Sequence, residues 1–260
     1  SWLPGATVQL PKRFLLKEDI SMDQIKKLQQ IIDDTDNIVF FGGAGVSTES
    51  GIPDFRSKDG LYNQKYDYPP ETILSHDFYV NEKEVFFRFY RDKIIGFEAR
   101  PNKAHIKLAE LEQAGKLRAV VTQNIDGLHQ AAGSKKVLEL HGGVSRNYCE
   151  ACGSLYDVEH MKKEGLPRCG CGGFVKPDVV LYGEMLDNDV MEEAVGFISN
   201  ADVLIIGGTS LVVYPAAGLI RYFRGSKLVM INRDITGQEG EADLVIKGSI
   251  GEVLGEIRVN

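Results

Sequence analysis

Ile38-Val39-Phe40-Phe41 is an unbroken apolar run that ends in Gly42-Gly43. A strand apolar at every position has no solvent face, so it belongs in a parallel sheet covered on both sides. Further runs of this kind are Ala119-Val120-Val121, Val137-Leu138-Glu139-Leu140, Val203-Leu204-Ile205-Ile206, Leu228-Val229-Met230-Ile231 and Leu244-Val245-Ile246. Helical spacings lie between several of them: Ala104, Leu108 and Leu111; Val190, Ala194, Val195 and Ile198; Ala216, Leu219, Ile220 and Phe223. Strands alternating with helices predict an α/β fold, a Rossmann-like parallel sheet with helices on both faces. Ser21 and Gln24 have the spacing of a capping box, and Ile25, Leu28, Ile31 and Ile32 then share one helical face.

Two stretches interrupt the alternation. Residues 59–100 are rich in aromatics and charge, and residues 146–175 hold all four cysteines. They predict a smaller domain made of a helical insertion and a metal ribbon. The Rossmann-like domain then comprises 22–58, 101–145 and 176–260. Residues 1–21 are expected to be a leader or an extension ahead of Met22, a natural initiator. With 260 residues, 43% of them hydrophobic, the chain can bury a core without disulfides. No apolar run reaches the ~18 residues of a membrane span. A net charge of −7 opposes a general nucleic-acid or anionic-membrane binder.

The first strand runs into Gly42-Gly43-Ala44-Gly45-Val46-Ser47-Thr48. Glycines there let backbone approach a pyrophosphate, although a tight turn without ligand has the same pattern. Glu49 occupies the position of the third glycine in the dehydrogenase fingerprint, which disfavours an ordinary dehydrogenase. Pro53 then stops any long helix, leaving Asp54, Phe55 and Arg56 in an irregular segment able to fold over a dinucleotide. Other polar groups sit at strand ends, where α/β sheets bind ligands. These are Gln123, Asn124 and Asp126; His141 with Gly142-Gly143; Gly207, Gly208, Thr209 and Ser210; and Asn232, Arg233 and Asp234. His141 at such a position is either a general base or a structural histidine. His76, His105, His129 and His160 have no metal spacing and no paired carboxylate in the sequence, and Phe86, Phe87, Phe89 and Tyr90 read as small-domain core.

Cys149, Cys152, Cys169 and Cys171 form two close pairs, the pattern of a closed structural zinc; free thiols or two disulfides are the alternatives. Cysteines of this type suit a reducing cytoplasm.

The segment Gly43-Ala44-Gly45-Val46-Ser47-Thr48-Glu49-Ser50-Gly51-Ile52-Pro53-Asp54-Phe55-Arg56 resembles the signature of the sirtuins, NAD-dependent protein-lysine deacylases. Thr122 to His129, Glu139-Leu140-His141-Gly142, the four cysteines, Lys176 to Glu184 and Gly207 to Pro215 are similar to further motifs of that family, of a compact bacterial type. The resemblance implies that NAD is consumed as a co-substrate. Nicotinamide leaves, the acyl oxygen attacks the vacated ribose carbon, and His141 acts as general base on a ribose hydroxyl. The products are lysine, nicotinamide and O-acetyl-ADP-ribose.

It also implies site roles. Gly43, Ala44, Gly45 and Thr48 cradle phosphate, Phe55 shields nicotinamide, and Ile125 and Asp126 hold its carboxamide. Gln123 and the catalytic Asn124 address the ribose, and Arg56 the phosphates or ribose. Asp54 belongs to the covering segment. Gly208, Thr209, Ser210, Asn232, Arg233, Ser249 and Ile250 serve the adenosine half. An acetyl-lysine peptide or protein adds a strand against Val180, Tyr182 and Gly183 on one side and Val213 on the other.

Relatives that prefer succinyl-lysine carry Tyr and Arg three apart; here Tyr90 is followed by Lys93, which implies acetyl-lysine. A protein mono-ADP-ribosyltransferase and a non-catalytic NAD-sensing zinc-ribbon module are the competing functions.

Overall fold

The structure, a computed structural model, describes residues 20–55, 60–61, 67–234, 236–237 and 239–259. Most of the expected leader, together with Arg56 and the start of the helical insertion, lies outside the described residues. Strands β1 (Ile38–Gly42), β2 (Leu117–Thr122) and β3 (Val137–Glu139) come first. They are followed by β4 (Gly142–Cys149), β5 (Leu155–Tyr156) and β6 (Val175–Val179), then β7 (Val203–Gly207), β8 (Lys227–Asn232) and β9 (Leu244–Lys247). Among the described residues, one sheet has the order β3-β2-β1-β7-β8-β9 with every pair parallel. The chain reverses direction across the sheet between β1 and β7, and that switch point opens a crevice beyond their carboxyl ends. Gly42 and Gly207, the last residues of the two strands, are partners in register.

β1 is buried at every position, as its composition requires. Ile38 and Phe40 face helices α1 (Met22–Asp33) and a later helix over Lys103–Gln113; Val39 and Phe41 face the helix over Asn188–Asn200. Ser21 is the N-cap of α1, but its hydroxyl accepts from the Asp23 N–H and Gln24 reaches instead to the Val245 carbonyl. The capping box is therefore absent: Gln24 gains a tertiary partner in place of a local one. The apolar spacing at 216–223 forms a 3-10 helix, Ala216–Tyr222, and not an α-helix; Pro215 precedes it and Gly218 sits within it.

The second sheet is antiparallel, in the order β5-β4-β6. It packs on the helices α2 (Pro70–Ile73), α3 (His76–Asn81) and α4 (Lys83–Phe89). Tyr79, Phe86, Phe87 and Tyr90 are wholly buried there and meet edge to face or stacked. The aromatic run is thus core, and loss of one such ring costs about 3–5 kcal/mol. The boundaries expected at 146 and 175 fall within strands, β4 running from Gly142 to Cys149 and β6 from Val175 to Val179. No helix of the described residues is long and apolar enough to cross a membrane.

Candidate active site

A cleft of about 420 Å³ lies between the two sheets' strand ends. Gly43, Ala44, Gly45, Thr48, Gly208, Thr209, Ser210, Asn232, Arg233 and Ile250 line it. So do Asp54, Phe55, Gln123, Asn124, Ile125 and His141, and with them Val180, Tyr182, Gly183 and Val213. These expected site residues, scattered over the chain, thus converge on one space. Asp126 and Ser249 are not among the lining residues. Both Asp126 oxygens are engaged within the protein, accepting from the Ser47 hydroxyl at 2.6 Å and the Leu128 N–H at 2.9 Å. The Ser249 hydroxyl accepts from Arg233 Nε at 3.1 Å.

The two glycine loops interlock. The Gly45 N–H donates to the Gly208 carbonyl at 2.8 Å, and a Cβ on Gly45 would lie 2.8 Å from Gly208 Cα. No side chain fits there, so the backbone itself forms the cleft wall, as phosphate binding needs. Glu49, in place of a third glycine, accepts the Gly251 N–H at 2.7 Å and so caps the last helix, Ile250–Gly255. Leu211 is held at φ 55°, a left-handed conformation costly for leucine, with its N–H bound to Thr209 Oγ1 at 3.2 Å.

His141 is set by Gln123. A backbone carbonyl only accepts, so the 2.9 Å contact from Nδ1 to the Gln123 oxygen places the proton on Nδ1 and leaves Nε2 as the free base. Burial pushes the His141 pKa below its ordinary value, and the Gln123 bond only partly opposes this. The neutral, basic form therefore prevails at neutral pH.

Ser47 is a residue that strand-end reasoning missed, and it is buried. Its hydroxyl donates to Asp126 and accepts from Asn124 Nδ2 at 3.2 Å and from His105 Nε2 at 3.4 Å. His105 Nδ1 accepts the Asn102 N–H at 3.2 Å, which fixes that tautomer. His129 packs on His105 with centroids 4.8 Å apart, and neither of its ring nitrogens has a hydrogen-bond partner among the described residues.

Burial lowers the His105 pKa to about 4 despite Asp126, and burial with the His105 neighbour lowers that of His129 to about 3. The unfolded chain, titrating near 6.5, binds more protons below that pH. Stability is thus complete above pH ~6.5 and is lost as pH falls toward about 4 for His105 and about 3 for His129. Each histidine removes about 1.4 kcal/mol per pH unit within its window. Urea midpoints at pH 7.5, 6 and 5 measure this; a flat series contradicts it.

The substrate-side segment is braced from behind by groups that the sequence left unpaired. Lys176, 6% exposed, donates to Glu184 Oε2 at 3.2 Å, and His76 meets Glu184 Oε1 at 2.9 Å. Burial alone would raise the Glu184 pKa; the Leu181 N–H, His76 and Lys176 outweigh it and hold the carboxyl below its usual range. His76 thus has a carboxylate partner, contrary to its sequence reading.

The four cysteine sulfurs lie within 4.8 Å of one another. Cys149 to Cys171 and Cys152 to Cys169 are each 3.5 Å, far beyond a disulfide bond of about 2.05 Å. Four thiolates around a zinc at about 2.3 Å stand about 3.8 Å apart, so the cluster fits that ion.

Residues 43–215 match the family model described as the Sir2 family. The chain is 59% identical over 238 residues to an NAD-dependent protein deacetylase of Clostridium acetobutylicum, covering 90% of this chain and 97% of that protein. It is 60% identical over 240 residues to one of Clostridium perfringens, covering 90% and 98%. Among solved structures, a Sir2 homologue–NAD complex is similar with a TM-score of 0.81 at 41% identity, covering 91% of this chain and 93% of that one. A Sir2–p53 peptide–NAD+ complex is similar with a TM-score of 0.78 at 40% identity, covering 88% and 95%. The family match over residues 43–215, the sequence identity and the shared fold lead to one conclusion: this chain belongs to the Sir2 family.

Proposed function

We infer that this chain is an NAD-dependent protein-lysine deacetylase that releases nicotinamide and O-acetyl-ADP-ribose. The observation that carries the reading is the fixed tautomer of His141: its Nδ1 is tied to the Gln123 carbonyl, and its basic Nε2 is left to a cleft that joins the glycine loops to the substrate segment. NAD, when bound, supplies an electrophilic ribose carbon once nicotinamide departs. Gly43, Ala44 and Gly45 would let the backbone approach the phosphates, and Thr48, whose hydroxyl donates to the Gly45 carbonyl at 3.0 Å, would brace that loop. Thr209, Ser210, Asn232 and Arg233 hold the adenosine half, with Gly208 and Ile250 shaping the wall. Phe55 excludes water from the reacting carbon, and Asn124, held by Ser47, orients the ribose. His141 takes a proton from a ribose hydroxyl. An acetylated peptide pairs its backbone with Val180–Gly183 and Val213; the related protein was solved with a p53 peptide and NAD+. Cys149, Cys152, Cys169 and Cys171 hold one structural zinc with no open position for catalysis. The reducing cytoplasm keeps such thiolates available.

The test is whether nicotinamide release requires an acetyl-lysine peptide, with mass spectrometry of that peptide. The deacetylase removes the acetyl group. A gain of ADP-ribose identifies a transferase, and NAD binding without nicotinamide release identifies a non-catalytic sensor.

Acyl preference follows from the small domain. Lys93 sits 3.1 Å from Asp92, an acid that opposes a second carboxylate, and Ile94, Leu74, Val179 and Leu181 give the nearby cleft an apolar lining. The expected kcat/KM is at least about tenfold higher on acetylated than on succinylated peptide, the scale of a carboxylate without its bidentate partner. The reverse order overturns this preference.

A further inference from the structure

Arg146 has no task in the reaction described above, and it does not line the cleft. Its side chain is a fork between two acids: Nε donates to Asp178 Oδ2 at 2.8 Å and Nη1 donates to Glu139 Oε2 at 2.7 Å. Glu139 ends β3, and its side chain is only 7% exposed. Asp178 lies on β6.

Each acid adjoins a working segment. Glu139 is followed by Leu140 and His141; Asp178 is followed by Val179 and Val180. The two segments touch directly, the Val180 N–H donating to the His141 carbonyl at 3.0 Å. One guanidinium therefore ties the strand that leads into the base to the strand that leads into the peptide-pairing segment, on either side of their contact.

The intervening chain is shaped for this clamp. β4 leaves register with β6 between Gly142 and Asn147, a bulge of the kind that re-aims side chains, and Arg146 stands in it. Gly142 has φ 73°, and a Cβ there would lie 2.0 Å from the Asp178 carbonyl oxygen. A Cβ on Gly143 would lie 3.0 Å from both carboxylate oxygens of Glu139. The glycines after His141 thus make room for the two clamp residues.

We propose that Arg146 is a positioning residue, which through Glu139 and Asp178 fixes His141 relative to the acetyl-lysine strand. Arginine suits the task because its planar fork satisfies two carboxylates at once, where lysine offers a point charge. The proposal rests on the deacetylase reading, which assigns His141 and Val180 their roles.

The experiment compares Arg146→Ala, Arg146→Lys and the double variant Arg146→Ala/Glu139→Gln, which leaves no unpaired buried carboxylate and so protects folding. Misplacing a reacting group by a fraction of an ångström should lower kcat and raise the KM for acetyl-peptide by about tenfold each. The dissociation constant for ADP-ribose should stay within about twofold, because the nucleotide loops are untouched. Arg146→Lys should restore the melting temperature without restoring KM. Hydrogen exchange, read without turnover, should speed up at Val180 and remain slow in β1 and β7.

Wild-type kcat, KM and Val180 exchange in the double variant overturn the proposal. So does an ADP-ribose constant that rises in step with KM, since that is general damage. An inactive wild-type protein would instead sink the deacetylase reading, with the exchange measurement still testing the clamp.

Discussion

His141→Ala is expected to lower NAD-dependent deacetylation by about 10³-fold, the scale of a lost general base. The fold should survive. The ring is held by a single hydrogen bond, to the Gln123 carbonyl, and its removal opens space toward the cleft and not within the core. Stability should therefore change by no more than about 1 kcal/mol. ADP-ribose should still bind, because the glycine loops and the Asn232 segment do not depend on the imidazole. Peptide-dependent nicotinamide exchange should persist, since the base acts after nicotinamide has left. That split separates a catalytic role from a structural one. The wild-type pH profile carries the same information: with the His141 pKa lowered by burial, the acid limb should lie below pH ~6.5 and the rate should be level through neutrality. Undiminished turnover in His141→Ala would remove this residue from the mechanism, and an acid limb above pH 7 would contradict the assigned protonation.

The parallel sheet is legible in the sequence because its strands are apolar on both faces. Ile38 to Phe41 and Val203 to Ile206 have no solvent side to disguise them. The small sheet is not legible in this way. β4 reads Gly-Gly-Val-Ser-Arg-Asn-Tyr-Cys and β6 reads Val-Lys-Pro-Asp-Val, with neither alternation nor a continuous apolar run. Their pairing is dictated by the cysteine cluster at one end and the aromatic core beneath, both of which act only after folding.

The site divides along the same line. Contiguous motifs such as Gly43 to Thr48 and Gln123 to Ile125 announce themselves, because one local turn must meet one ligand. Cooperation between distant segments leaves no local trace. Glu184 and His76 are 108 positions apart, and Ser47 and His105 are 58 apart. Asp126 sits in a strand-end motif and is also tied to the fold: the Ser47 hydroxyl, 79 positions away, and the Leu128 N–H each donate to one of its oxygens.

Removal of zinc is expected to abolish deacetylation by unfolding the small sheet, with the parallel sheet left intact. Cys149 ends β4, and Cys169 and Cys171 precede β6, so the cluster clamps the ends of two strands that have little local tendency to form. Cys149 and Cys169 also belong to the buried core beside Phe86, Phe87 and Val175. Without metal, four thiols would crowd within 4.8 Å with one pair of them buried, a costly arrangement for polarisable but unbonded sulfur.

Structural zinc sites contribute about 10–16 kcal/mol in small domains, as much as the whole stability of most proteins. The loss of β6 would carry Val179 and Val180 with it, and with them the hydrogen bond to the His141 carbonyl. Acetyl-peptide binding should therefore disappear, while ADP-ribose binding at the interlocked loops of Gly45 and Gly208 should weaken far less. Cys149→Ala should reproduce the chelated state. Elemental analysis should find one zinc per active chain, and chelator-treated protein should lose activity in proportion to metal lost. Full activity in protein shown to be free of metal would mean that the four sulfurs hold the ribbon by packing alone.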